Sequence, residues 1–174
     1  MNKFLIILLL LLSAFPFSVA AEIKVVDGDS LEIGERRIRL DGIDAPEFLQ
    51  ICRNQNEEEY ACGQKALEFA ENFLKAGHPE CHCLPQKDKY KRELCECFVN
   101  GESLNKALVA AGWAVAYREP AFLAAQDEAE EHKRGIWQGK FMRPALYRIL
   151  NRYIKENPPA AQDVQKKAEK ESQP

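Results

Sequence analysis

The sequence predicts a small α+β domain built around a curled β-sheet. Residues 23–40 are rich in β-branched and aliphatic side chains, and Gly28, Gly34 and Gly42 punctuate this region. Apolar residues at helical spacing begin only at Cys62. A hairpin pattern and further helical patterns follow. This order of strands, helix, hairpin and helices is typical of a mixed α+β domain.

The first three strands are predicted at residues 22–26, 30–34 and 37–41. We expect the second and third to form a hairpin in which Leu31 faces Leu40, because this register keeps the apolar side chains together. In this register Asp29 lies close to Asp44. The acidic residues near these strands are therefore expected to gather at one rim of the sheet.

Helical spacing of apolar residues, with proline and glycine at the ends, predicts helices at residues 62–76, 103–111, 120–133 and 143–154. A hairpin at residues 80–99 separates the first helix from the second. The last helix carries a basic face made of Arg148, Arg152 and Lys155. That face either extends a substrate groove or only covers the sheet.

Both ends of the chain differ from the domain between them. Lys3, an apolar run from Phe4 to Leu12 and small residues at 18–21 are the layout of a cleavable secretory signal. The run is too short for a permanent membrane span, although an uncleaved anchor is the alternative. We expect a leader at 1–20, a domain at 22–138, an extension at 139–156 that is helical and a disordered tail at 157–174. The mature protein is then secreted or periplasmic and is not held in the membrane.

The chain is mildly acidic, with 24 basic residues against 27 acidic ones and a net charge of −3. Removal of the leader takes away Lys3 and no acid, which makes the mature chain one unit more negative. Such a protein gains nothing from its overall field when it approaches an anion, so any affinity for phosphate depends on local clusters. One such cluster lies at the predicted hairpin tip, unless it is only a solvated loop: Lys87, Lys89, Lys91 and Arg92.

Six cysteines in an exported chain predict a disulfide framework. Four of them flank the hairpin tip in two pairs with a spacing of two, so that all four point to one face. A hairpin centred near Lys89 places them opposite each other in pairs, within the reach of disulfides. The predicted bridges are Cys81 to Cys97, Cys83 to Cys95 and Cys52 to Cys62. A zinc site made of the four hairpin sulfurs and reduced core thiols are the rival interpretations.

Acidic residues follow the predicted strands. Asp27 and Asp29 flank Gly28, and Asp44 and Glu47 come after the next hairpin. Two carboxylates at one rim repel each other, and a hard divalent cation with oxygen ligands is the usual remedy. Taken alone, the Asp-Gly-Asp tripeptide is better explained as a simple turn.

Two arginines, Arg39 and Arg92, are candidates for binding a phosphate, because planar guanidinium groups match phosphate oxygens with paired hydrogen bonds. Ideal pleating places Arg39 on the opposite face from Leu40. We therefore expect Arg39 to approach the acids only through a bulge or strong coiling of the sheet. Each arginine, seen alone, is also a plausible partner in a surface ion pair.

Three sequence blocks occur in order along the chain. The first extends from Val25 to Glu47 and contains Asp-Gly-Asp-Ser, Arg-Leu and Ile-Asp-Ala-Pro-Glu. The second joins Asp-Lys-Tyr-Lys-Arg at 88–92 to Leu-Asn-Lys-Ala-Leu-Val-Ala-Ala-Gly at 104–112, and the third is Gly-Ile-Trp at 135–137. Together they resemble the signature of the staphylococcal nuclease (thermonuclease) family. The resemblance covers about residues 22–138 and does not include residues after 140.

The resemblance implies a five-stranded OB-like β-barrel with three flanking helices and an active site on one side of the barrel. It also implies roles for the matching positions. The calcium ligands match Asp29, Asp44 and the main-chain carbonyl of Ala45. The catalytic positions match Arg39, Glu47 and Arg92. The substrate-binding positions match Lys89, Tyr90 and Tyr117, and Asp27 matches an acid that supports the ligands.

The implied activity is that of a secreted, monomeric, Ca²⁺-dependent nuclease that hydrolyses DNA and RNA to 3′-phosphate products. Glu47 would take a proton from the attacking water or orient it, and the arginines would neutralise charge on the phosphorus oxygens. Lys91 departs from the family, which commonly has glycine there; a positive φ at Lys91 would cost about 1 kcal/mol. Two alternatives are a non-catalytic module that binds nucleic acid or protein, and a metal-binding or structural envelope protein.

Overall fold

The computed structural model of the protein describes residues 21–117 and 119–158. The predicted leader at 1–20 and nearly all of the predicted tail at 157–174 lie outside these residues. Within the described ranges, no helix combines the length and the apolar character that crossing a bilayer requires.

The strands of the described residues are β1 (Ile23–Asp27), β2 (Ser30–Ile33), β3 (Arg36–Leu40), β4 (Ile43–Asp44), β5 (Cys52–Arg53), β6 (Glu59–Tyr60), β7 (Glu80–Lys87), β8 (Glu93–Val99), β9 (Glu102–Ser103) and β10 (Val115–Ala116). The main sheet has the order β1-β2-β3-β8-β7, and β9 pairs with β8. Because β3 and β8 are parallel and the other pairs are antiparallel, the sheet is mixed. The α+β prediction is confirmed, although no pairing between β1 and β7 closes the barrel within the described chain.

The hairpin of β2 and β3 has a different register from the predicted one. Leu31 pairs with Ile38 rather than with Leu40. The hairpin turns sooner than expected because Gly34 adopts a φ of 57°, which permits a tight turn. A shift of two residues leaves every side chain on its original face. Leu31, Ile38 and Leu40 are accordingly all buried in the core.

The helices are α1 (Cys62–Leu74), α2 (Leu104–Ala110), α3 (Pro120–Glu131) and α4 (Pro144–Glu156). Ser103 caps α2 by accepting a hydrogen bond from the Lys106 N–H at 3.1 Å. A short 3₁₀ helix, Gly135–Gln138, follows α3. All four helices lie where apolar spacing predicts them, and their ends differ from the predicted ones by at most two residues, since caps rather than periodicity set the boundaries.

The six cysteines form three disulfide bonds, Cys52 to Cys62, Cys81 to Cys97 and Cys83 to Cys95. The pairing is the one that the sequence predicts. Strands β7 and β8 place both hairpin pairs directly opposite each other, with Cα atoms 4.0 Å apart. Cys83 and Cys95 also lie near the Glu93 carboxylate, but their joined sulfurs lack the thiolates that zinc requires. The bridges therefore stiffen the hairpin whose tip carries Arg92.

A strained residue precedes Arg92 at this tip. Lys91 has a φ of 64°, in the left-handed region that a side chain makes costly. We expect Lys91→Gly to raise the free energy of unfolding by about 1 kcal/mol in urea denaturation. Lys75→Gly is the matched control, because Lys75 has a φ of −66° and glycine brings no relief there. A gain in stability at Lys75, or none at Lys91, would contradict this prediction.

Candidate active site

Asp29 lies buried in the turn between β1 and β2. A register shift just before Asp27 bulges the end of β1. Gly28 follows, where a Cβ atom would lie only 2.7 Å from the Cβ of Ala66, so the turn packs tightly on α1. The N–H of Asp29 donates to Asp27 Oδ1 at 3.1 Å, and Asp29 Oδ2 accepts from the Ala45 N–H at 2.7 Å. The turn thus joins Asp29 to the segment that follows β4.

Arg39 connects the two acids that were predicted to meet. Its Nη1 contacts Asp29 Oδ1, and its Nη2 donates to Asp44 Oδ1 at 2.9 Å. Arg39 approaches them despite the pleat of β3, because Asp29 precedes β2 and Asp44 follows the turn at Gly42, where φ is 77°. Burial acts to lower the pKa of Arg39, but the two carboxylates outweigh it and raise that pKa above its ordinary value. The guanidinium group therefore stays charged.

The burial of Asp29 has a consequence for stability. Burial raises the pKa of Asp29 to about 8 from an ordinary value of 3.8, against the opposing effect of Arg39. The folded state therefore binds this proton more tightly than the unfolded state. The stability that Asp29 contributes is complete below the unfolded pKa and is lost as the pH rises through the folded pKa.

We expect the free energy of unfolding of the metal-free protein to fall between about pH 4 and pH 8, and Asp29→Asn to flatten this dependence. The measurement is urea denaturation at intervals of pH with a chelator present. Asp127→Asn is the matched control, because Asp127 is an exposed aspartate on α3. Equal pH slopes for Asp29→Asn and the unaltered protein would contradict the assignment.

Glu47 is held by its backbone while its carboxylate remains accessible. Its N–H donates to Gln50 Oε1 at 3.3 Å, and its carbonyl accepts from the Gln50 N–H at 2.7 Å. Helix α1 packs so closely on this carbonyl that a Cβ at Gly63 would lie 1.8 Å from the oxygen. The side chain is 33% exposed and pairs with Arg148 at 2.8 Å. The loop thus fixes the position of a carboxylate that water can approach.

Arg92 is held at the hairpin tip by Asp88. The Asp88 carboxylate accepts hydrogen bonds from the N–H and the Nε of Arg92, at 2.9 Å and 2.8 Å. Burial acts to raise the pKa of Asp88, but these bonds outweigh it and lower that pKa below its ordinary value. Arg92 Nη1 donates to Ser30 Oγ at 3.1 Å, and this hydroxyl donates to Asp29 Oδ1 at 3.2 Å. A short chain of contacts therefore links Arg92 to the buried acid.

These side chains meet in a groove of about 470 Å³. Six of the predicted site residues line it: Asp27, Arg39, Glu47, Lys89, Tyr90 and Arg92. Asp29, Asp44 and Ala45 lie behind this lining, where they are buried. The structure does not bring Tyr117 to the groove lining; its N–H donates to the Gly42 carbonyl at 2.6 Å, at the turn before β4. The two predicted arginines thus face the same groove as Asp27 and Glu47.

The groove also contains residues that the sequence patterns do not identify as members of the site. Arg37 lines the groove and lies two residues before Arg39. Because residues two apart in a strand share one face, this spacing could have identified Arg37 as a neighbour of Arg39 in the site. Asp88 was recognisable only as a hairpin-tip acid. Arg148 and Arg152 also line the groove. The sequence predicts their basic face, but periodicity within α4 does not say where that helix docks.

Most of these site residues lie in the part of the chain that is similar to known proteins. A family model described as staphylococcal nuclease homologue matches residues 37–139. This range includes Arg39, Asp44, Glu47 and Arg92, whereas Asp29 lies before it.

Three relatives illustrate the similarity. The succinoglycan biosynthesis protein ExoI of Rhizobium meliloti (strain 1021) is 30% identical over 126 residues, 70% of this chain and 66% of the relative. An uncharacterized endonuclease of Escherichia coli O157:H7 is 31% identical over 124 residues, 66% of this chain and 74% of the relative. An uncharacterized endonuclease of Haemophilus influenzae is 29% identical over 124 residues, 66% of this chain and 64% of the relative. The chain therefore spans slightly less than two thirds of the length of the first and third of these proteins. On the match over residues 37–139, the chain belongs to the staphylococcal nuclease family.

Proposed function

We propose that this protein is a Ca²⁺-dependent nuclease that hydrolyses phosphodiester bonds of DNA and RNA and leaves 3′-phosphate products. One observation carries the proposal: Arg39 and Arg92 face one groove together with the carboxylate of Glu47. A module that only binds nucleic acid has no need of an accessible carboxylate in the same groove as two arginines. The similarity to relatives named as endonucleases supports the same conclusion.

The donor set at the base of the groove fits Ca²⁺. The carboxylates of Asp29 and Asp44 and the carbonyl of Ala45 are oxygen ligands, which this hard cation prefers. The Ala45 N–H bond to Asp29 and the contacts of Arg39 with both acids keep the three residues together. When bound, the ion would supply positive charge that stabilises the phosphate in the transition state.

The remaining steps fall to side chains of the groove. Glu47 takes a proton from the attacking water or orients it. Arg39 and Arg92 bind the phosphate and offset the negative charge that builds on its oxygens, with the 5′ oxygen as leaving group. Lys89 and Tyr90 share the hairpin tip with Arg92, and Lys89 Nζ lies 5.0 Å from the centre of the Tyr90 ring. We propose that they bind a neighbouring phosphate and its nucleotide.

The test is cleavage of plasmid DNA and of single-stranded RNA by the mature chain, with CaCl₂ or with EGTA. We expect cleavage only with Ca²⁺, and oligonucleotide products that lose a 3′-phosphate on phosphatase treatment. Binding without cleavage would select the non-catalytic module instead. If the protein neither binds nor cleaves nucleic acid, the proposal is refuted.

We also propose that the protein is exported and acts as a monomer. Three disulfides support export, because such bonds persist in oxidising compartments. N-terminal sequencing of protein from a periplasmic or secreted fraction should begin at Ala21 or Glu22. Light scattering of that material should give the mass of one mature chain. An intact N-terminus in that fraction would contradict cleavage.

A further inference from the structure

Helix α4 lies after the residues that match the family model, yet it borders the groove. The Tyr147 hydroxyl donates to the Leu49 carbonyl at 3.2 Å. Gln50 is fully buried, and its Nε2 donates to the Met142 carbonyl at 2.6 Å. These contacts attach α4 to the loop that carries Glu47. The helix is therefore positioned by the same residues that position a proposed catalytic group.

Arg148 extends from α4 to two of the acids. Its Nη1 lies 2.9 Å from Asp44 Oδ1 and 2.8 Å from Glu47 Oε1, and its Nη2 donates to Asp44 Oδ2 at 3.1 Å. Burial acts to lower the pKa of Arg148, but the bonds to Asp44 and Glu47 raise it above its ordinary value. The side chain is nevertheless 37% exposed. The acids thus orient a charged group that also faces the groove.

Arg152 follows Arg148 by one helical turn and lines the same groove. Residues four apart lie on one face of a helix. The cationic side chains of the groove are Arg37, Arg39, Lys89, Arg92, Arg148 and Arg152, so α4 supplies two of six. Since the whole chain has a net charge of −3, attraction of a polyanion depends on this local cluster.

We propose that α4 forms one wall of the substrate groove and that Arg148 and Arg152 bind the phosphate backbone of single-stranded nucleic acid. This inference rests on the proposed function. A groove of about 470 Å³ has the size of a small-ligand site and suits a flexible strand better than a duplex. The half-exposed ring of Tyr90 on the same groove offers a surface on which a base can stack. The two arginines extend binding beyond the phosphate held by Arg39 and Arg92.

The experiment compares Arg148→Gln, Arg152→Gln and the double variant with the unaltered protein. Binding of a fluorescent oligothymidylate is measured by anisotropy in EGTA over a range of salt, and KM and kcat are measured with Ca²⁺. Each single variant should raise Kd about three- to tenfold and reduce the salt slope by about 0.7. Arg152→Gln should raise KM with little change in kcat. Arg148→Gln affects both, because Arg148 also contacts Glu47 and Asp44.

Controls separate lost charge from lost structure. Lys75→Gln removes an exposed charge at the far end of α1, about 20 Å along the helix from Cys62, and should leave Kd and KM unchanged. Arg148→Lys keeps the charge and should recover most of the binding. Circular dichroism and thermal melting verify that each variant is folded.

Several outcomes overturn the inference. If the double variant keeps its Kd, KM and salt slope while the unaltered protein binds and cleaves, α4 takes no part in substrate binding, and the proposed function stands. Tighter binding or faster cleavage by Arg148→Gln would make α4 a cover over the acids instead. If the unaltered protein neither binds nor cleaves nucleic acid, the proposed function fails and the inference fails with it.

Discussion

Glu47→Gln is expected to lower kcat about 10²- to 10⁴-fold while the fold and the affinity for Ca²⁺ are kept. An amide has the shape of the carboxyl group but cannot accept the proton of the attacking water. The backbone of residue 47 is held by Gln50 and by the close packing of Gly63, and the substitution changes neither. The amide oxygen can still accept the hydrogen bond from Arg148. The loss should therefore appear in the chemical step.

The measurements are single-turnover cleavage at saturating Ca²⁺ and calorimetric titration of Ca²⁺. Glu57→Gln is the matched control, because Glu57 pairs with Lys140 at 2.7 Å and lies outside the groove lining. It should retain full activity. Near-normal turnover of Glu47→Gln would disprove the role of Glu47 as base or water-orienting group. Loss of Ca²⁺ binding in this variant would place Glu47 among the metal ligands instead.

Arg92→Lys is expected to lower kcat about 10²- to 10³-fold. Lysine keeps the charge, but it loses the planar fork that donates paired hydrogen bonds to a phosphate. The hairpin tip should survive, because Asp88 still accepts the backbone N–H of residue 92 and the N–H of Tyr90. The two disulfides between β7 and β8 also remain. The expected loss is therefore one of transition-state stabilisation rather than of structure.

Single-turnover rates and KM show whether Arg92 acts in the chemical step or only in binding. Arg36→Lys is the matched control, since Arg36 lies on the same sheet and pairs with Glu93 at 2.7 Å outside the groove lining. Arg36→Lys should change kcat by less than about twofold, as expected for an exposed ion pair. If Arg92→Lys raises KM and leaves kcat unchanged, Arg92 binds the ground state and the transition state equally. That result would remove it from the catalytic residues.

Local chemistry accounts for the features that sequence patterns predict well. The spacing of the four hairpin cysteines determines the register of the hairpin. Only one alignment of two antiparallel strands places Cys81 opposite Cys97 and Cys83 opposite Cys95 at the same time. Apolar periodicity likewise places the helices. The register of β2 and β3 was predicted wrongly because both registers bury Leu31, and only the tight turn at Gly34 selects between them.

The sequence by itself determined the class of this protein, its four helices and the main strands of its sheet, its cysteine pairing and the acids and arginines that it carries. These properties depend on periodicity and on residue types, both of which can be read along one chain. Only the tertiary structure decided that Arg39 lies between Asp29 and Asp44, and that Arg148 meets Glu47 and Asp44 from positions 101 and 104 residues away. Such contacts depend on how separate elements pack, and a pattern within one element carries no information about its distant partner.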